Sequence, residues 1–215
     1  MLPKMRKKEI EFIKKTLLDV SDSKHSMNVL EWGSGGSTVF FTDFLRKHNV
    51  NYTWISLEYN TEWFNKVNDA IKKDKSVNLI LFDVGNGNLK QTNISMDDYV
   101  YYPLTLNIRF DVIIIDGRKR RRCLEVARKI WTEGGVVLLH DAHRKYYQCA
   151  FEFYKNARLV QPYLWMATNK TPSMYKKISN YFVIVSYSMI RMIDRYVKSF
   201  ARRFTRFFDT YIIIF

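Results

Sequence analysis

The order of elements along this chain predicts an α/β fold: a doubly wound, mostly parallel sheet with helices on both faces. Three observations carry that expectation. Short apolar runs alternate with stretches of helical periodicity at least five times. The run at 110–115 is almost wholly apolar, as a strand covered on both faces must be. A glycine turn at 33–36 follows the first strand and leads into a helix, the handover expected of a crossover unit.

Each element follows from its local pattern. Ile10, Ile13, Leu17 and Leu18 lie at helical spacing within 7–18, which predicts an amphipathic entry helix. Residues 28–32 read as a buried strand and 39–47 as a helix. Residues 52–57 are β-branched and aromatic and end at Glu58; a helix over 61–73 and a strand over 77–82 follow. The polar stretch 86–106, with Tyr99, Tyr101 and Tyr102, reads as a long loop or short helix beside a site. After the apolar strand comes a helix over 119–131, with Glu133, Gly134 and Gly135 expected as its glycine cap. A strand over 136–139 and a helix over about 144–156 complete the alternation. Residues 159–165 and 181–186 are expected to close the sheet as a strand pair joined by polar 168–177.

Composition sets the class. A chain of 215 residues with 47% hydrophobic and 26% charged residues suits one folded domain, not a disordered segment. Its 35 Lys and Arg against 21 Asp and Glu leave a formal charge of +14, which favours anionic partners: nucleic acid, an acidic glycan or an anionic membrane surface. Cys123 and Cys149 have no metal-type spacing, which points to a reducing, cytoplasmic setting. The charged opening lacks the apolar core of a signal peptide, and no run approaches the roughly 20 apolar residues of a membrane span. The expected protein is soluble or peripheral.

The segment Glu31, Trp32, Gly33, Ser34, Gly35, Gly36, Ser37, Thr38 stands where the first strand passes into a helix. Gly33 and Gly35 permit a tight turn and a ligand against the backbone, and the helix start offers unpaired N–H groups. Glu58 ends the second strand 25 residues after Gly33, where a carboxylate can accept both hydroxyls of a ribose. No lysine stands in the turn, which excludes a Walker loop, and Thr38 replaces the third glycine of a dinucleotide fingerprint. The segment resembles motif I of class I S-adenosylmethionine-dependent methyltransferases, acid-x-Gly-x-Gly-x. Glu31 is the acid, and Ser37 stands where many members have a further glycine. The resemblance covers about residues 28–156 and implies a Rossmann-like fold binding S-adenosylmethionine. It places Gly33, Ser34, Gly35, Gly36, Ser37 and Thr38 against the methionyl part, Glu58 on the ribose and Asp83 beside the adenine.

The ends of the next two strands carry Asp116 and Asp141, and His140 and His143 flank the latter. Methyl transfer to a hydroxyl needs a group that takes its proton: a carboxylate, an imidazole or a metal-bound alkoxide. In metal-dependent O-methyltransferases, acids at these two strand ends and a neighbouring Asn or Asp hold magnesium. Asp116 and Asp141 match that pattern, but Ala142 stands at the third position. Magnesium on Asp116 and Asp141, or His140 or His143 as a metal-free base, are the two versions left open. The Asp/Asn-Pro-Pro-Tyr signature of base N-methylation is replaced by Asp116, Gly117, Arg118 and Lys119, which favours oxygen as the acceptor. The basic run Arg118, Lys119, Arg120, Arg121, Arg122 reads either as a solvated helix face or as a device that draws an anionic acceptor to the site. The tyrosines of the preceding loop would stack on a sugar or base, or pack on a neighbouring helix.

Residues 1–188 are therefore expected to form the methyltransferase domain and 189–215 a basic amphipathic helix. Ile193, Val197, Phe200, Phe204 and Phe208 share one stripe of that helix, with Arg191, Arg195, Lys198, Arg202 and Arg206 opposite. Such a helix suits an anionic membrane surface, a groove on a partner protein or the chain's own core. The leading expectation is O-methylation of a sugar, glycan or other small hydroxylated acceptor. The alternatives are an RNA methyltransferase, prompted by the charge, and a non-catalytic binding module.

Overall fold

The computed structural model of the chain describes residues 1–83, 96–147 and 152–169, all within the unit Met1–Thr171 that contacts separate from Pro172–Phe215. The expected tail helix, its boundary at 188/189, the strand at 181–186 and Cys149 lie outside the described residues. Among the described residues no helix is long and apolar enough to cross a membrane.

The chain runs α1 (Lys7–Ser21), β1 (Met27–Trp32), α2 (Gly36–Lys47), β2 (Tyr52–Glu58), α3 (Thr61–Ile71) and β3 (Val77–Leu81). There follow α4 (Asp97–Tyr101), a 3-10 turn (Tyr102–Thr105), β4 (Phe110–Ile115), α5 (Arg120–Ile130) and β5 (Trp131–His140). A 3-10 turn (Lys145–Tyr147) leads to β6 (Ala157–Gln161) and β7 (Leu164–Thr168). Among the described residues seven strands form one sheet in the order β3-β2-β1-β4-β5-β7-β6. β1 to β5 pair in parallel, whereas β7 runs antiparallel to both β5 and β6.

The period of two in the central strands divides the core into two layers. Ile113 and Ile115 of β4 join Leu30, Trp32, Val137 and Leu139 on one face, under Tyr99 and Val100 of α4 and Cys123, Leu124 and Ala127 of α5. Val112 and Ile114 join Val29, Val136 and Leu138 on the other, under Ile13 and Leu17 of α1 and Phe41 and Leu45 of α2. Burying both faces of β4 requires its nearly unbroken apolar sequence.

Three local expectations are corrected. Gly134 and Gly135 do not cap α5; they lie inside β5, which begins directly after the helix. Gly134 sits at φ 75°, and the register jumps from Phe110↔Trp131 to Val112↔Val136, so the glycines absorb a bulge. Among the described residues the last strand pair is β6 and β7, because Pro162 and Tyr163 break the expected 159–165 strand into a hairpin. In the expected 144–156 helix, the described part begins with a three-residue 3-10 turn.

Candidate active site

The strand order reverses between β1 and β4, so the loops leaving their carboxyl ends part and open a crevice. Two backbone hydrogen bonds fix those loops to the sheet: Gly33 N donates to Leu57 O (2.8 Å) and Asp116 N to Trp32 O (2.9 Å). The loops also touch back to back. Gly33 sits at φ 95°, and a Cβ there would lie 2.5 Å from the N and Cα of Gly117. The same test at Gly35, which lines the cavity, finds nothing within 4 Å. A cavity of about 690 Å³ opens here, bounded by the glycine turn, Glu58, Asp116 and the basic residues after it.

Beneath the turn, Glu31 is fully buried. Ser37 Oγ donates to its Oε1 (2.6 Å); Thr38 Oγ1 (2.6 Å), Ser56 Oγ (2.9 Å) and Trp54 Nε1 (3.0 Å) donate to Oε2. Burial pushes its pKa up to about 7 against the pull of these four donors. Thr38 Oγ1 also accepts from Gly35 N (3.0 Å), so the residue at the third-glycine position ties the turn to Glu31. Neither Glu31 nor Thr38 lines the cavity; both hold the turn from below. Ser34, Gly36 and Ser37 do line it, and the Leu2 carbonyl lies against Gly36 where the N-terminal segment crosses the start of α2.

Glu58 lines the cavity with its carboxylate fixed. Oε1 accepts from the backbone N–H groups of Tyr59 and Asn60 (2.9 Å each), and Oε2 accepts from Ser34 Oγ (2.9 Å). Burial raises its pKa despite these bonds. The Ser34 backbone N–H is a further donor to this carboxylate. Asp83 is exposed just beyond β3 and does not line the cavity.

On the other side, Asp116, His140 and Asp141 bring ligand atoms within 4.8 Å of one another. Only Asp116 lines the cavity. His140 lies behind it, buried, with Nδ1 3.0 Å from Asp116 Oδ1 and Nε2 3.6 Å from Glu9 Oε2. Burial alone would lower the pKa of His140, but the hydrogen bond to Asp116 and the charges of Asp116, Asp141 and Glu9 raise it. His143 stands apart. Asp141 takes a left-handed conformation (φ 57°), Ala142 turns inward through a bond from its N to Tyr163 O (2.9 Å), and His143 is left exposed, edge-on to Tyr163.

The residue that sequence reasoning missed is Arg120. Residues 118–122 are one basic run in the sequence, yet Arg118 and Arg121 are exposed whereas the Arg120 side chain is only 10% exposed. Its position three, four and seven residues before Cys123, Leu124 and Ala127 puts it on the buried stripe of α5, which is the signal that could have found it. Tyr99 and Tyr102 resolve toward packing, whereas Tyr101 is exposed with the Arg122 guanidinium over its ring. Tyr99 is buried and its carbonyl accepts from Trp32 Nε1 (3.0 Å), while Tyr102 packs on Phe82. The aromatics lining the cavity are Tyr59, Trp63, Tyr146 and Tyr147.

No protein-family model matches the chain, and no curated protein matches it. Solved structures do. The chain is similar to a methyltransferase-like protein from Silicibacter pomeroyi, with a TM-score of 0.58 and 16% identity over 82% of this chain and 93% of that one. It is similar to an O-methyltransferase from Bacillus cereus solved in complex with SAH, at TM-score 0.57 and 17% identity over 79% and 84% of the two chains. The chain shares the fold of these structures. A precorrin-6y C5,15-methyltransferase from Geobacter metallireducens shares it at TM-score 0.53 and 14% identity, over 80% and 94%. Likeness at these identities fixes the path of the backbone, and the chemistry rests on the side chains above.

Proposed function

We propose that this chain is an S-adenosylmethionine-dependent methyltransferase that modifies an oxygen of a small, anionic, hydroxylated acceptor such as a sugar or glycan. The observation that carries this reading is one cavity bounded by both halves of the required chemistry: the glycine turn with Glu58 on one side and Asp116 on the other. The residues fit the cofactor. The space kept open at Gly35 admits a ligand against the backbone, and the fixed carboxylate of Glu58 suits ribose hydroxyls. The start of α2 adds a positive dipole end.

When bound, the cofactor supplies an electrophilic methyl group on a sulfonium. The chain's own residues then orient the acceptor and take its proton. Asp116 faces the cavity and accepts the hydroxyl proton; His140, behind it, is a positioning residue that fixes the carboxylate through Nδ1. Asp141 acts at one remove, through Arg120. Lys4, Arg118, Lys119 and Arg144 line the same cavity, and their charge favours an acceptor bearing carboxylate or phosphate. The basic, phenylalanine-rich sequence of residues 189–215 supports work at an anionic membrane surface.

Calorimetry tests the reading. S-adenosylmethionine or its demethylated product should bind near micromolar, about −8 kcal/mol. Glu58→Ala should weaken that by roughly 1–3 kcal/mol, because buried hydroxyls lose a charged partner. Binding of NAD without binding of the methyl donor would refute it.

A further inference from the structure

The oxygens gathered at the ends of β4 and β5 form a set that a hard cation would use. Backbone carbonyls of Asp116, Gly117 and His140 converge there with the carboxylates of Asp116 and Asp141. One side chain already collects them. Arg120 Nε donates to Gly117 O (2.8 Å), Nη1 to His140 O (2.7 Å) and Nη2 to Asp116 O (2.9 Å). The same guanidinium lies 3.1 Å from Asp116 Oδ1 and 3.5 Å from Asp141 Oδ2.

Charge follows the same account. Asp141 also pairs with Arg144, Nη2 to Oδ2 at 2.8 Å, so two acids stand against two arginines. A divalent ion placed between the carboxylates would bring positive charge to acids already neutralised, beside a guanidinium that cannot give up its proton. Ala142, at the position where a third side-chain ligand is expected, offers no side-chain oxygen and is buried. The residues present do not fit magnesium.

We propose that the Arg120 guanidinium takes the place of a divalent cation in this site, so that the chain works without a metal and loss of Arg120 opens a cation site. Arg120 is a positioning residue: it binds both acids and three strand-end carbonyls, and through them holds Asp116 toward the cavity. Its own placement is built into the fold. The left-handed Lys119 (φ 50°) turns the chain into α5, and the buried Cys123 and Leu124 on the next turn fix the face that Arg120 shares. This inference rests on the methyltransferase reading for its meaning, but not for its test.

The experiment is a manganese titration of the full chain followed by electron paramagnetic resonance, with cofactor calorimetry on the same sample. Wild type should show no saturable site at Asp116 and Asp141 up to about millimolar manganese. Arg120→Gln, which keeps a polar side chain but removes the charge, should gain a saturable manganese site at least about ten-fold tighter than that limit. Arg120→Lys keeps the charge without the fork and should stay metal-free. Saturable binding by wild type that Asp141→Asn abolishes would overturn the proposal, and this arm does not depend on any Arg120 variant folding. A folded Arg120→Gln that gains no manganese would overturn it as well. Failure of the calorimetry alone would count against the methyltransferase reading and leave the manganese result standing.

Discussion

At the ends of β1 and β2 the acids are held by neutral donors; at the ends of β4 and β5 they are held by two guanidinium groups and an imidazole. Glu31 and Glu58 receive hydroxyls, an indole N–H and backbone amides, and burial raises both pKa values. Asp116 and Asp141 receive Arg120, Arg144 and His140. A carboxylate among neutral dipoles can accept further hydroxyl donors without meeting a competing charge, which suits a site for a nucleoside. Carboxylates clamped by guanidinium keep a fixed position and a balanced charge, which suits a place where a proton leaves. On the proposed reading, one sheet thus supports a recognition end at Glu58 and a reaction end at Asp116.

The two ends meet where the turns of Gly33 and Gly117 touch, and the largest expected effect lies there. Gly33→Ala would place a methyl 2.5 Å from the Gly117 backbone at a φ that alanine resists. Stability in denaturant should fall by roughly 3 kcal/mol or more, since neither backbone can yield cheaply. Gly35→Ala is the control: its methyl meets no neighbour, so the protein should stay near wild-type stability while calorimetry shows weakened cofactor binding. Equal stability losses in the two variants would mean that this contact does not join the two ends.

The reaction end should respond in turnover instead. Asp116→Asn should reduce kcat about 100-fold or more with cofactor affinity nearly intact, because the carboxylate acts only as the proton leaves. Loss of affinity in proportion to turnover would instead make Asp116 part of the recognition end.

How much of this was legible in the sequence divides along the same line. The glycine turn, Glu31 and Glu58 announce themselves through spacing, because strand and helix periods place them regardless of distant contacts. Even so, Glu31 and Thr38 proved to support the turn from below, since spacing does not say on which side of a turn a side chain lies. At the other end Asp116, His140 and Asp141 were legible as strand-end residues, but their partner was not. Arg120 sits among four other basic residues, and only its phase on α5 separates it from the solvated ones. Likewise the left-handed Asp141, which sends His143 outward, has no glycine to mark it. Conformations set by tertiary contact leave no local pattern.

The smallest expected effect tests whether neutral donors leave the recognition end as sensitive to pH as the raised carboxyls imply. Glu31 has an ordinary pKa of 4.5 and a folded value of about 7, so the folded protein holds its proton more tightly than the unfolded chain. The sign follows from linkage: the contribution is fully present below about pH 4.5 and is lost as the pH rises through about 7. Ser37 Oγ, 2.6 Å from Oε1, can accept the proton that Glu31 then carries, while Thr38, Ser56 and Trp54 continue to donate to Oε2. Glu31→Gln removes the titration and keeps the shape. The stability of wild type relative to this variant should therefore decline between pH 5 and pH 8, by on the order of 2 kcal/mol, in denaturant unfolding. A difference that stays constant with pH would mean that the four donors hold Glu31 ionised throughout. Neutral donors alone would then keep a fully buried acid charged beneath the turn.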